Sequence, residues 1–218
     1  MLAQAVLFDL DGTLLDSLAD IGESMNFVLS ESGLEPHSLT DYRMFVGDGV
    51  TMLARRALPP DRRDADTVSA CVTRMREVYG RRAASKTRPY EGIPALLDAL
   101  DTRGIAKAVL SNKPHDLTVE LVAGLLGRWN FAAVFGERPG VPRKPDPAGA
   151  LEVAARLELA PAAIVYVGDT PTDIATARAA GMRAVGAAWG FRSEAELREA
   201  GADQIARHPA DVLSSLVA

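Results

Sequence analysis

Two aspartates stand two residues apart at the end of an apolar run: Ala5-Val6-Leu7-Phe8 leads directly into Asp9, Leu10 and Asp11. Like charges at the end of a buried strand repel one another unless a cation or a developing positive charge offsets them. Further along, the chain offers groups of complementary chemistry. Ser111, Asn112 and Lys113 follow a second apolar run, Lys144 stands in RKPDP, and Asp169 and Asp173 stand in VGDTPTD after a third. Asp9, Asp11 and Asp169 supply hard oxygen donors of the kind Mg2+ prefers, with water and a substrate phosphate completing an octahedron. Lys144 and the Ser111 hydroxyl could hold the other phosphoryl oxygens. Phosphoryl transfer asks mainly for positioning and charge neutralisation, and this set provides both. A carboxylate nucleophile would form an aspartyl-phosphate; a second carboxylate two residues on could protonate the leaving oxygen and then activate water.

Each group also has a plainer reading. Asp11-Gly12 is a common turn signal. Thr170 and Asp173, with Pro171 between them, form a capping-box pattern, so Asp173 could cap a helix, serve a metal, or do both. Ser111-Asn112 could open a helix at His115, and a lysine such as Lys144 is often merely solvated. The joint pattern favours chemistry, because each group falls at an expected strand end or in the loop beside one.

The elements that must position these groups are legible as an alternation. Gln4–Phe8, Ile105–Leu110, Ala132–Phe135, Ala163–Val167 and Arg183–Ala188 read as short buried strands. Ile93, Leu96, Leu97 and Leu100 recur at helical spacing, with Pro94 in the first turn. Ala148 to Leu157 reads as another helix, with Asp146 as cap and Pro147 as its first residue. Alternating strand and helix implies parallel strands with right-handed crossovers, an α/β fold. In such a sheet, ligands collect at the carboxyl ends of the strands, where strand order reverses.

One stretch breaks the alternation. From Ser17 to about Arg88 there are helical patterns and no convincing strand. Leu18, Ile21, Met25, Val28 and Leu29 line one face of a helix that Gly33 ends, and Val50–Leu58 and Thr67–Val78 read as further helices. The expected division is therefore a core of residues 1–15 and 89–218 with a helical insert at 16–88, joined through two neighbouring passages that could serve as a hinge.

Composition narrows the function classes. A chain of 218 residues, 48% apolar and 24% charged, with formal net charge −5, is an ordinary globular protein and offers no basic surface for nucleic acid. Its single cysteine, Cys71, excludes an internal disulfide and fits a reducing compartment. The N-terminal apolar run stops at Asp9 with no basic segment before it, so neither a signal peptide nor a membrane span is expected, and a cytoplasmic location is. The partner expected is a small phosphorylated metabolite, and the chain itself is expected as a monomer or homodimer. His37, His115 and His208 have no metal-ligand spacing. Trp129 and Trp189 read as packing residues.

FDLDGTLLDS resembles the first motif of the haloacid dehalogenase-like hydrolase superfamily, VLSNK its second, the lysine of RKPDP its third and VGDTPTDIATARAAG its fourth. The resemblance implies a Rossmann-like core carrying an inserted helical cap, and Mg2+-dependent phosphoryl transfer. It implies Asp9 as nucleophile and metal ligand, and Asp11 as general acid/base, lending its backbone carbonyl to the metal. Asp169 would be a direct ligand, Asp173 its support, and Ser111, Asn112 and Lys144 the phosphoryl-binding residues. Members named for dehalogenation lack the second aspartate; Asp11 is present here, which favours phosphoryl transfer.

Within the capped phosphatases, RMFVGDGVTMLARRAL, GVPRKPDP and GFRSEAELREAGAD resemble the phosphoglycolate phosphatases. That resemblance makes 2-phosphoglycolate the leading substrate. Sugar phosphomutases keep the same four motifs and are the alternative; a non-catalytic phosphate-binding regulator is a further one. Val46-Gly47-Asp48-Gly49 reads as a tight turn between helices that could select the organic part of a substrate, or simply connect them. Arg43 could meet a substrate carboxylate or form a surface salt bridge. Basic residues outnumber acidic ones from Arg55 to Arg88, but the insert as a whole is balanced.

Overall fold

β1 (Ala5–Phe8) is four residues long, and none of its side chains reaches solvent. Such a strand must be covered on both faces, and the fully buried Leu7 and Phe8 contribute about 1.5–3 kcal/mol each. The computed structural model describes residues 3–82 and 84–217; the outermost ends expected for the core, residues 1 and 218, lie outside them. The chain divides into two compact units, one of Met1–Asp16 with Pro89–Ala218 and one of Ser17–Arg88. After β1 come β2 (Leu15–Asp16), α1 (Leu18–Glu31), α2 (Leu39–Phe45), α3 (Val50–Ala57), α4 (Ala65–Arg82) and β3 (Arg88–Pro89). Then follow α5 (Ile93–Thr102), β4 (Ala106–Pro114), α6 (His115–Leu126), β5 (Ala133–Glu137) and α7 (Ala148–Arg156). The chain ends with β6 (Ile164–Gly168), α8 (Pro171–Ala179), β7 (Arg183–Ala187), α9 (Glu194–Glu199), β8 (Gln204–Ala206) and a 3-10 helix, Pro209–Leu216.

The larger unit is an α/β fold on a six-stranded sheet ordered β5-β4-β1-β6-β7-β8. The neighbours run parallel, with Ala5 opposite Ala106 on one side and Ile164 on the other. From β1 the chain adds β4 and β5 in one direction, then β6, β7 and β8 in the other. The order thus reverses beside β1, where an open α/β sheet forms its ligand crevice. Between strands, helices such as α5 bury Ile93, Leu96, Leu97 and Leu100 as their spacing predicts.

The smaller unit is helical. α1 buries Ile21, Met25, Val28 and Leu29, and its chain turns away at Gly33, whose φ of 67° is unstrained only for glycine. Cys71 is buried, with Sγ 3.8 Å from Met25 Sδ. His37 donates from Nε2 to Ala57 O at 2.8 Å and packs edge-on to Tyr42 and Phe45. No helix among the described residues is long and apolar enough to cross a membrane.

Several details differ from the sequence reading. β2 and β3 pair with each other at the chain's two passages between units, so the segment ending at Arg88 does contain strand. Two residues are too few to show a period. β8, three residues long, escaped for the same reason. α2 was missed although its capping box, Ser38 with Asp41, follows the S-x-x-D pattern. Pro147 is the N-cap of α7 and not its first helical residue, while Asp146 Oδ1 accepts from Ala148 N–H at 2.9 Å. β4 runs on through Pro114, with its register against β5 shifting between Leu110 and Pro114, so Ser111, Asn112 and Lys113 lie on the strand rather than after it.

Candidate active site

The carboxyl ends of β1 and β6 bring three aspartates together. One carboxylate oxygen from each of Asp9, Asp169 and Asp173 lies within 4.8 Å of the others, and all three residues are buried. Lys144, equally buried, reaches them from the loop before α7: its Nζ is 3.0 Å from Asp9 Oδ1 and 2.6 Å from Asp173 Oδ1. Asp9 Oδ1 also accepts from Leu10 N–H at 2.7 Å, whereas Oδ2 takes no hydrogen bond from the described residues. Asp9 therefore presents one oxygen that is fixed and one that is not.

Asp169 is held from two sides. Thr13 Oγ1 donates to Oδ1 at 2.9 Å and Phe191 N–H to Oδ2 at 2.9 Å. Gly12, with φ 85°, lets the loop after β1 run flat against this carboxylate; a Cβ there would lie 2.3 Å from Asp169 Oδ2. Gly190 is as closely placed, since its Cβ would lie 2.3 Å from Asp169 Cβ and from Gly12 O. Trp189 ties the same corner by donating from Nε1 to Thr13 O at 2.9 Å. Asp173 performs the capping its spacing suggests, accepting at Oδ2 from Thr170 N–H and Oγ1 at 3.0 and 2.6 Å, and it pairs with Lys144 through Oδ1.

The electrostatics follow from crowding negative charge in a dry place. Burial raises the carboxyl of Asp9 well above its usual range, and the charges of Asp173 and Asp169 add to that against the pull of Lys144. Asp169 is pushed up to about 7, again by burial first and by Asp173 second. Burial favours a neutral Lys144, but Asp173 and Asp9 outweigh it and hold the ammonium above its ordinary value. Three buried carboxylates with one buried ammonium bonded to two of them leave an excess of oxygen donors over cations. That donor set, all oxygen and compact, suits a hard divalent ion such as Mg2+.

Asp11 sits apart from this cluster. Its two carboxylate oxygens are 3.0 and 2.7 Å from Lys113 Nζ, in a pair with side-chain exposures of only 12% and 6%. Asn112 turns to Lys144: its Oδ1 accepts from Lys144 N–H at 3.0 Å and its Nδ2 donates to Lys144 O at 3.1 Å, so the amide grips both backbone groups of that residue. Ser111 is buried beside it on β4, its Oγ accepting from Lys113 N–H at 3.2 Å. Arg43, Gly47, Asp48 and Gly49 belong to the helical unit. There Arg43 is exposed in the last turn of α2, Gly47 and Gly49 take φ of 124° and 85°, and Asp48 pairs with Arg56 at 2.5 Å.

Sequence reasoning passed over Thr13, Lys113 and the Trp189–Phe191 turn. Thr13 and Lys113 stood in plain view at strand ends without an assigned partner. In the turn, Trp189 reads only as a packing residue, and Gly190 and Phe191 offer no signal because they act through the absence of a Cβ and a backbone N–H. The histidines have local duties: His115 Nδ1 accepts from Gly136 N–H at 3.2 Å, and His208 caps the last 3-10 helix.

Comparison with known proteins places the chain in a family. The chain matches the sequence profile of the haloacid dehalogenase-like hydrolases over residues 6–187. It is 37% identical over 191 residues to the phosphoglycolate phosphatase of Xylella fastidiosa, covering 87% of this chain and 82% of that one. A solved structure from Lactobacillus delbrueckii superposes with TM-score 0.93 at 28% identity, covering 99% of both chains. A haloacid dehalogenase-like family protein from Streptococcus pneumoniae does so with TM-score 0.88 at 25% identity, covering 98% of both. With its four motifs gathered on one parallel sheet, the chain belongs to the haloacid dehalogenase-like hydrolase family.

Proposed function

We propose that this protein is a Mg2+-dependent phosphatase that hydrolyses a small phosphate monoester through an aspartyl-phosphate, with 2-phosphoglycolate as its leading substrate. The observation that carries the reading is Asp9, whose Oδ1 is fixed by Leu10 N–H and Lys144 while Oδ2 keeps its lone pairs for attack on phosphorus. Lys144 suits neutralisation of phosphoryl oxygens, with Ser111 and Asn112 beside it on β4 supporting that end of the site. Asp11, a carboxylate two residues from the nucleophile, delivers the proton to the leaving oxygen and removes one from the water that hydrolyses the intermediate. Asp9, Asp169 and the Asp11 carbonyl would hold Mg2+, with Asp173 supporting them. When bound, the ion supplies charge neutralisation for the carboxylates and the phosphoryl group.

The substrate assignment draws support from relatives of this name that share about a third of their residues with the chain. By the family resemblance, residues 17–88 are the cap, and Arg43 is a residue there whose charge suits a substrate carboxylate. Phosphate release from a panel of metabolite monoesters, ranked by kcat/KM with Mg2+ and again after exhaustive chelation, tests the whole reading. Many turnovers that stop on chelation are expected, with 2-phosphoglycolate foremost. Conversion of a sugar 1-phosphate to its 6-phosphate with little free phosphate would identify a mutase instead, and activity that survives chelation would remove the metal.

A further inference from the structure

We infer that Lys113 is the positioning residue for the proton-transferring carboxylate of Asp11. The inference rests on the phosphatase reading and deepens it. Lys113 Nζ lies within hydrogen-bond reach of both Asp11 oxygens, at 2.7 and 3.0 Å, and the pair is nearly shut off from solvent. A single contact would leave the carboxylate free to rotate about its last bond, whereas an ammonium bridging both oxygens fixes its plane and direction. The anchor is itself stiff. Lys113 lies on the continuation of β4, its N–H donates to Ser111 Oγ, and its carbonyl accepts from Thr118 Oγ1 at 3.2 Å. Asp11 stands on the loop that Gly12 turns with φ 85° and that a bridge to Leu15 closes.

Lys113 is separate in its work from Lys144. Lys144 bonds to Asp9 and Asp173, at the attacking side, and Lys113 to Asp11, which serves the leaving side. The two ammonium groups thus divide the reaction between them. Proton delivery by a positioned acid is worth about 10²–10⁴-fold, and it matters in proportion to the basicity of the oxygen that departs. A misplacement of about 1 Å is enough to forfeit on the order of 10²-fold. Loss of Lys113 should therefore harm substrates that leave as alkoxides and spare one that leaves as a stable anion.

The test compares wild type with Lys113→Met and Lys113→Arg on 2-phosphoglycolate, ethyl phosphate and p-nitrophenyl phosphate, reading kcat/KM, which reports only steps up to formation of the phosphoenzyme. For Lys113→Met we expect losses of roughly 100-fold on both alkyl esters and less than about 5-fold on the nitrophenyl ester. Lys113→Arg should recover most of the loss, because a guanidinium can also grip both oxygens of a carboxylate. Equal losses on all three esters in a variant that melts like wild type would mean a merely structural lysine and overturn the inference. A loss confined to 2-phosphoglycolate would make Lys113 a reader of the substrate carboxylate and overturn it as well. If Lys113→Met does not fold, Lys113→Arg decides alone: it must keep the wild-type ratio of alkyl to nitrophenyl rates. Failure of wild type to release phosphate from any of the three would sink the phosphatase reading along with this one.

Discussion

Asp20 in the helical unit and Asp9 in the core are both buried aspartates, with 3% and 4% of their surface exposed. Their surroundings could hardly differ more. Asp20 accepts from Lys86 N–H with both oxygens, and from the N–H and Oγ1 of Thr87 at 2.8 and 2.6 Å. Its charge is absorbed by backbone and hydroxyl dipoles, and it joins the start of α1 to the segment that follows α4. Asp9 shares its burial with Asp169 and Asp173, and one of its oxygens takes no hydrogen bond from the described residues. A buried carboxylate saturated with donors is a structural tie. One crowded by like charges and left short of donors is held in readiness for a cation or an electrophile.

That contrast can be broken by experiment. Replacing Asp9 by Asn keeps shape but removes the proposed nucleophile, so kcat should fall by at least about a thousandfold while the melting temperature holds or rises. A variant with near wild-type turnover would return Asp9 to the structural class. Gly190→Ala should weaken Mg2+ binding by about 10–100-fold in calorimetric titration, because its methyl must push Asp169 aside. Unchanged affinity would show that the corner yields without disturbing the ligand.

Asp169 is raised from 3.8 to about 7 by burial and by Asp173, with Asp9 and Lys144 in the same cluster, so the folded chain binds that proton more tightly than the unfolded one. Stability from this group is present at low pH and is lost as pH rises through about 7. The gain in melting temperature on adding Mg2+ should accordingly be larger above that pH than below it; a gain independent of pH would remove Asp169 from the metal site. Last and smallest for catalysis, Asp20→Ala should cost about 2–4 kcal/mol of stability, by leaving buried N–H groups unpaired, yet leave Mg2+ affinity within about twofold. A large drop in affinity would erase the distinction between the two regions.

The sequence carried the parts of this site that depend on side-chain type at a strand end. Asp9 and Asp169 are readable because strong hydrophobic runs announce β1 and β6 and the aspartates then stand at their tips, while Lys144 and Asp173 stand in the loop and first helical turn beside such runs. The capping box at Thr170 and Asp173 is local chemistry and equally readable. Partnerships across the sheet are not. Lys113 and Asp11 are brought together by the pairing of β4 beside β1, and nothing in either segment names the other. The extension of β4 through Pro114 was hidden because polar residues and a proline look like a loop until a register shift accommodates them. Asn112 shows the limit most clearly. The family resemblance sets it among the phosphoryl-binding residues, and nothing in its own segment announces that its amide also grips the backbone N–H and C=O of Lys144.

The place of β1 in the sheet has a consequence for how the protein is made. Ala5 pairs with Ile164, so the strand that leads into Asp9 is made well before β6 and lacks that neighbour until the long intervening segment has followed. Until then an apolar edge lies open to aggregation, and pairing over so long a separation closes slowly. Asp9 cannot meet Asp169 and Asp173 before that closure, so uptake of a divalent ion by a refolding chain would mark the moment at which the sheet is complete.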